Sequence, residues 1–406
     1  MNVYQQLLDE AIQKTFTKEK LFADLLDNKL SDLGIVLNNA QIEDLVKKIL
    51  NESLMDSFSF SIDEKELMKC PQNLLELSDK SISITFNSEK DLAELENKIK
   101  QTITNIIQEL VPKFSKDFLL RLKKKFKGHH KLCQKDRKSF NKHVDAKFGK
   151  ALDLLEMVYY IATDNLYESS ESLDPEAEKI TFNALERLHA RSCQVMAEII
   201  LLLRNGFADG AHARWRTLYE LTIIALFISK HGNEISERYF SHCIADDYNA
   251  AIKYQKYCEA LGYKGLHKKE LNKIRKDYFY CIDKYGKEFK NAYGWASTII
   301  KKKNPSFADI EAHLGFEYMR HLYKIASHNV HANPTSLFFK LGLIPENGEA
   351  LLKGPSDLGL DEPIRGTIFS FVQMTINLLV FSPNLDRLVV CDILLKLKEE
   401  IIESLA

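Results

Sequence analysis

The segment from 320 to 331 holds a dense set of side chains suited to acid–base chemistry. On a helix, residues three, four and seven apart share a face. Its polar residues would therefore form one stripe about 16 Å long: Arg320, Lys324, Ser327, His328 and His331. Imidazoles exchange protons near neutral pH, and neighbouring cations stabilise developing negative charge. The stripe predicts a catalytic site, and a helix end whose histidines cap the last carbonyls is an equally open alternative.

Arg214, Arg216 and Glu220 form a second polar group. Arg216 and Glu220 are four residues apart in an otherwise apolar helical pattern, so their side chains can pair. The favoured interpretation is an internal ion pair that supports the fold, because a buried arginine is rarely left unpaired. In the alternative, this group orients the histidine helix, and the Ser327 hydroxyl orients an imidazole.

Basic charge is concentrated in one short segment. Residues 113–150 contain 14 lysines and arginines against 3 acidic residues, whereas residues 1–112 contain 12 against 20, and the whole chain has a net charge of −1. This excess predicts electrostatic, salt-sensitive binding of nucleic acid. The residues expected to make these contacts are Lys123, Lys124, Lys125, Lys127, Lys131, Lys135, Arg137 and Lys138. Docking of this segment on the acidic N-terminal residues is the alternative.

The elements that carry these groups are predicted to be mainly α-helical. Only 16 glycines and 9 prolines interrupt 406 residues, and apolar residues recur at helical spacing. Segments 57–62 and 81–86 alternate apolar and polar residues, which predicts a small β hairpin. We expect an acidic, mostly helical N-terminal head over 1–112, a basic connecting helix over 113–150 and a helical bundle over 151–406. One helix is predicted from Ser306 to about His331.

Composition also indicates the cellular compartment and the cofactors expected for this protein. The seven cysteines include no Cys-x-x-Cys pair, which argues against a disulfide framework or a zinc ribbon and favours a reducing cytoplasm. No signal peptide is visible, and the most apolar stretch, 368–381, is too short to cross a bilayer. We therefore expect a cytoplasmic protein without a membrane partner, a metal or another cofactor.

Four sequence motifs resemble an uncharacterised bacterial all-helical family, a domain of unknown function. They are Arg-Trp-Arg-Thr-Leu-Tyr-Glu-Leu at 214–221, Glu-Arg-Tyr at 237–239, Tyr-Gly-Trp-Ala at 293–296 and Tyr-Lys-x-x-Ser-x-x-Val-His-Ala at 323–332. The resemblance covers roughly residues 185–335. A weaker resemblance links this region to the HEPN superfamily of helical ribonucleases and toxins, in which a cation precedes a histidine by four to six intervening residues. Lys324 and His331 fit that spacing, with lysine in place of the usual arginine.

The HEPN resemblance implies a metal-independent endoribonuclease of the toxin or antiphage-defence type. His331 and His328 would act as general acid and base, and Lys324 and Arg320 would stabilise the charge on the phosphorane. It also implies a homodimer that assembles one composite site, RNA as substrate and a possible operon-encoded protein partner. The hypothesis from another class is a non-catalytic helical module that binds a nucleotide or a protein partner.

Overall fold

A computed structural model of the chain describes residues 3–32, 35–51, 57–60, 82–85, 89–164, 179–331, 334–343 and 351–405. The described residues are mainly α-helical. The chain divides into two compact units, residues 1–133 and 134–406. The acidic 167–178 segment and the whole connection between the predicted strands, residues 63–80, lie outside the described residues.

The first unit begins with three helices, α1 (Val3–Thr15), α2 (Lys18–Asp32) and α3 (Asn39–Asn51). Helices α2 and α3 pack on each other around a small buried core of Leu26, Leu30, Ile35, Ile42 and Val46. Strands β1 (Ser57–Phe60) and β2 (Ile82–Thr85) pair antiparallel, with Ser57 opposite Thr85. These strands fall within the two segments of alternating sequence.

A single helix, α4, runs for 76 residues from Glu89 to Asp164. This helix continues through Pro112, the last residue of the predicted N-terminal head. Proline removes one backbone hydrogen bond from a helix interior. Pro112 and the preceding turn are largely exposed to solvent, where water can satisfy the freed carbonyl. The predicted basic segment 113–150 lies wholly within this helix.

The second unit continues with ten helices in its described residues: α5 (Lys179–Arg204), α6 (Ala208–Ser241), α7 (Cys243–Tyr257), α8 (Lys268–Tyr285), α9 (Ser297–Ile300), α10 (Phe307–His313), α11 (Arg320–His328), α12 (Thr335–Phe338), α13 (Asp361–Leu379) and α14 (Leu385–Glu403). Three short 3₁₀ turns are interspersed: Lys287–Lys290, Gly294–Ala296 and Glu317–Met319. Gly206 and Gly232 have φ values of 73° and 71°. Gly206 lies just beyond the end of α5 and Gly232 kinks α6, because glycine adopts this conformation at little steric cost.

The main core forms where α13 packs across the paired helices α5 and α6. The indole of Trp215, on α6, donates a 3.0 Å hydrogen bond to Ser370 on α13. A Cβ atom at Gly366 would lie 2.8 Å from that indole, so glycine allows the two helices to approach. The largest fully buried side chains of this unit are Trp215, Tyr219, Phe227, Phe289 and Phe371. None of the helices in the described ranges is long and apolar enough to cross a membrane.

The predicted helix from Ser306 to His331 is broken into parts. Ser306 caps α10, as expected for its start, through a reciprocal hydrogen-bonded pair with Asp309. The chain then turns at Gly315, whose φ is 78°, before the 3₁₀ turn and α11. A lone glycine within a helical pattern does not reveal whether the helix continues or turns. The break allows Arg320 on α11 to reach Glu311 on α10.

Candidate functional site

Helix α11 carries four of the five polar stripe residues. Arg320 is its first residue and His328 its last, so His331 lies beyond the helix end, contrary to prediction. The backbone N–H of His331 still donates a 3.1 Å hydrogen bond to the carbonyl of Ser327. Lys324 and His331 are exposed, and His328 is half-buried. Lys324 and His328 thus lie on one short helix, and His331 lies three residues beyond its end.

Ser327 has a local role that differs from the predicted one. Its hydroxyl donates a 2.7 Å hydrogen bond to the carbonyl of Tyr323, one turn earlier on α11. A hydroxyl engaged in this way satisfies a backbone acceptor of its own helix. In this structure the Ser327 hydroxyl is therefore bonded to its own helix and not to either histidine.

Arg320 is paired with a carboxylate that is almost completely buried. Its guanidinium donates a 3.0 Å hydrogen bond to Glu311, whose side chain is 1% exposed. The other oxygen of Glu311 accepts a 2.7 Å hydrogen bond from the hydroxyl of Tyr219 on α6. Burial and this hydrogen bond raise the pKa of Tyr219 above its ordinary value. Arg320 thus compensates a buried negative charge between α10, α11 and α6.

Arg216 and Glu220 form the predicted ion pair, with 3.0 Å between guanidinium and carboxylate. A residue that the sequence analysis missed, Tyr323, completes the group. Arg216 donates a 2.7 Å hydrogen bond to the Tyr323 hydroxyl, which in turn donates a short hydrogen bond to Glu220. Burial, together with the bond to Glu220, raises the pKa of Tyr323. The three side chains close a triangle that joins α6 to α11.

The Tyr323 ring also connects the two ion pairs. The guanidinium of Arg216 lies 4.8 Å from its centroid, and that of Arg320 lies 4.9 Å away. Both distances are within the range of cation–π attraction. Two arginines and two glutamates therefore surround the tyrosines of this cluster with balanced formal charge. We call Arg216, Tyr219, Glu220, Glu311, Arg320 and Tyr323 the paired cluster.

Residues 182–349 match the model of a family of unknown function, DUF5677. We call residues 182–349 the DUF5677 region. The resemblance to a domain-of-unknown-function family, predicted for roughly 185–335, is therefore confirmed. No curated protein and no solved structure matches the chain.

Every member of the paired cluster lies within the DUF5677 region, and the sequence carried a signal for several of them. Arg216, Tyr219 and Glu220 belong to one of the four motifs that carry the resemblance, and Tyr323 begins another. The structure brings these motifs together, although about 100 residues of chain separate them. Glu311 lies outside all four motifs and had no sequence signal.

Three other polar residues of the DUF5677 region lie outside the paired cluster. Arg214 points away from the paired cluster and pairs with Glu198 on α5 at 2.6 Å. His189 and His212 are buried core residues, and burial lowers the pKa of each to about 4. Within the described ranges, no group of three or more histidine, cysteine, aspartate or glutamate side chains is arranged to hold a metal ion.

The basic residues lie N-terminal to the DUF5677 region, on the part of α4 that is most exposed. Every residue from 115 to 139 is exposed to solvent, including all eight predicted nucleic-acid contacts. Phe118 and Phe126, which interrupt the basic run, are 48% and 62% exposed. Arg121 is paired with Asp117 on the same helix. This stretch therefore presents cationic and aromatic side chains around the whole circumference of a helix.

Proposed function

We propose that this chain is a cytoplasmic, RNA-directed effector that binds RNA through the basic segment of α4 and cleaves it without a metal ion. The observation that carries the proposal is the complete exposure of residues 115–139, in which lysine and arginine far outnumber acidic residues. Backbone phosphates attract such a surface and release counterions when they bind. Exposed aromatic rings such as Phe118 and Phe126 can stack on unpaired bases.

Cleavage is assigned to Lys324, His328 and His331. Metal-independent cleavage requires a base for the 2′-hydroxyl proton, an acid for the leaving oxygen and a cation beside the phosphorane. The two histidines would supply the acid and base, and the exposed ammonium of Lys324 would supply the charge. Because Arg320 forms an ion pair with Glu311, Arg320 is better suited to positioning α11 than to contacting phosphate.

The proposal includes a homodimer, in which the histidine-bearing segments of two copies contribute to one site. It also includes a role of the toxin or antiphage-defence type and an operon-encoded protein partner. Both follow from the HEPN resemblance, in which lysine replaces the usual arginine at Lys324.

The second candidate is a non-catalytic helical module that binds a nucleotide or a protein partner. One observation favours it: the four charged side chains of the paired cluster neutralise one another, which leaves Lys324 as the exposed cation of α11. Such a helix can present a recognition surface without performing chemistry.

Incubation of the purified full-length chain with total RNA in EDTA distinguishes the two candidates. The effector proposal expects RNA fragments that end in a 2′,3′-cyclic phosphate. The His328→Ala/His331→Ala double variant is expected to bind RNA but produce no fragments. Binding by both proteins with no cleavage by either would support the non-catalytic module.

A further inference from the structure

An open cavity of about 520 Å³ lies where the end of α6 meets the start of α7 and the 3₁₀ turn at Gly294–Ala296. Its volume is in the range of small-molecule sites, roughly 300–1,000 Å³. Tyr239, Phe240, Tyr293 and Trp295 contribute aromatic side chains to its walls. Two of the motifs that carry the family resemblance supply three of these residues.

The aromatic walls are held in place by buried contacts. Arg238 donates hydrogen bonds of 2.9 and 3.3 Å to the carbonyls of Trp295 and Gly294. A Cβ atom at Gly294 would lie 2.2 Å from the carbonyl oxygen of Glu288, so this turn requires glycine. Trp295 packs edge-on against Tyr239, with ring centroids 5.0 Å apart. The cavity is thus largely preorganised, which reduces the entropy lost when a ligand binds.

Several polar groups of the cavity are available to a ligand. In the part of the chain that the structure describes, the hydroxyls of Tyr239 and Tyr293 have no hydrogen-bond partner. His242, whose side chain is 7% exposed, has its Nε2 atom 2.8 Å from the carbonyl of Asn291. A carbonyl only accepts, so Nε2 carries a hydrogen, and Nδ1 is an acceptor in the neutral form of the ring.

The Nδ1 acceptor of His242 faces the carboxylate of Asp246, which is also an acceptor. The Nδ1 atom of His242 lies 3.6 Å from a carboxylate oxygen of Asp246, whose side chain is 72% exposed. The distance is too long for a direct hydrogen bond. A ligand that places N–H donors against these two acceptors would satisfy both. A flat ring with N–H donors along one edge could stack on the aromatic walls and donate hydrogen bonds to these two acceptors.

We propose that this cavity binds a guanine base. Guanine offers adjacent N1–H and N2–H₂ donors for Asp246 and His242, and its O6 and N7 atoms can accept from the two tyrosine hydroxyls. Adenine would present its N1 lone pair toward the carboxylate, which repels it. The base can come from a free nucleotide or from single-stranded RNA, since the recognised edge is the same.

Isothermal titration of the full-length chain with GMP, guanosine and AMP tests the proposal. GMP and guanosine are expected to bind alike, and AMP at least about tenfold more weakly. Asp246→Asn is expected to weaken GMP binding by about tenfold or more. Asp247→Asn, the neighbouring exposed position outside the cavity lining, is the matched control and leaves binding unchanged.

Further titrations separate the sources of the base. The oligonucleotides UUGUU and UUAUU test whether guanine within RNA binds more tightly than adenine; binding of GMP but not UUGUU would assign the site to free nucleotides. A Lys123→Glu/Lys124→Glu/Lys125→Glu variant should still bind GMP, so failure of RNA binding by α4 would not affect this result.

Equal binding of AMP and GMP, or no binding at millimolar concentration, would overturn the proposal. Displacement of GMP by tetramethylammonium would also overturn it, in favour of a cation cage.

Discussion

Tyr219 on α6 donates its hydroxyl hydrogen to Glu311 on α10, with 2.7 Å between the oxygens. The carboxylate is 1% exposed, and its other oxygen accepts a hydrogen bond from Arg320. A buried carboxylate is stable when it is both hydrogen-bonded and paired with a cation. The geometry therefore makes Arg320 a residue that stabilises the fold and fixes the start of α11.

Replacing Arg320 is expected to lower stability much more than replacing its neighbour on the next turn. Arg320→Ala leaves Glu311 buried without its cation, which should lower the free energy of unfolding by about 3 kcal/mol. Lys324→Ala is the matched control on the same helix, and its effect should stay within about 0.5 kcal/mol because Lys324 is exposed. Urea denaturation measures both. Equal stability of the two variants would show that Arg320 does not compensate Glu311.

The two buried histidines predict a loss of stability in mild acid. His189 and His212 have pKa values near 4 in the folded chain, whereas an unfolded histidine has a pKa near 6.5. Between these values the unfolded chain binds protons that the folded chain does not, so stability falls as pH decreases from 6.5 to 4. Each histidine should account for a loss of about 3 kcal/mol over this interval.

A substitution at His212 tests that assignment. The His212 ring stacks on Trp215 with centroids 5.2 Å apart, and phenylalanine can preserve this contact without a titrating group. His212→Phe should reduce the acid-induced loss by about 3 kcal/mol relative to wild type. His267→Phe, at an exposed position, is the control and should leave the pH profile unchanged. Profiles of unfolding free energy from pH 4 to 7.5 that coincide for all three proteins would contradict the assignment.

The helices were more predictable than the contacts between them. The spacing of apolar residues and the scarcity of glycine and proline indicated a mainly helical chain, and the i,i+4 spacing indicated the Arg216–Glu220 pair. Tyr323 and Glu311 were missed because their partners lie on other helices or beyond a turn. The break at Gly315 was missed because local sequence does not distinguish a tolerated glycine from a turn. Pairing across helices depends on tertiary packing that a periodic pattern cannot specify.

The boundary between the two units gives a prediction about fragments. Val144 on α4 is fully buried in the core of the second unit, with Phe140 and Phe148 packed against that core. A fragment of residues 134–406 retains these contacts, whereas a fragment of residues 151–406 lacks them. The longer fragment should be more stable by at least about 2 kcal/mol, since burial of one large apolar side chain contributes 1.5–3 kcal/mol. Equal melting temperatures would contradict a contribution from 134–150.

His331→Ala distinguishes catalysis from a structural role at the end of α11. If His331 is the acid or base, the substitution should lower RNA cleavage by about 100-fold or more. The melting temperature should hardly change, because the side chain is exposed. His321→Ala changes an exposed histidine on α11 that has no role in the proposed chemistry, and this control should cleave normally. Cleavage that persists in the His328→Ala/His331→Ala variant, or that requires Mg²⁺, would refute the assignment.

The salt dependence of RNA binding tests the central claim, that exposed lysines of α4 contact the RNA backbone. Fluorescence anisotropy with a single-stranded RNA gives the slope of log K against log salt, which is about −0.7 for each phosphate neutralised. The account predicts that a Lys123→Glu/Lys124→Glu/Lys125→Glu variant binds more weakly, with a slope reduced in magnitude by about 2. A Lys268→Glu/Lys269→Glu/Lys273→Glu variant makes the same change in net charge at exposed positions of α8 and should keep the wild-type slope. Identical affinity and slope for wild type and the α4 variant would contradict the account.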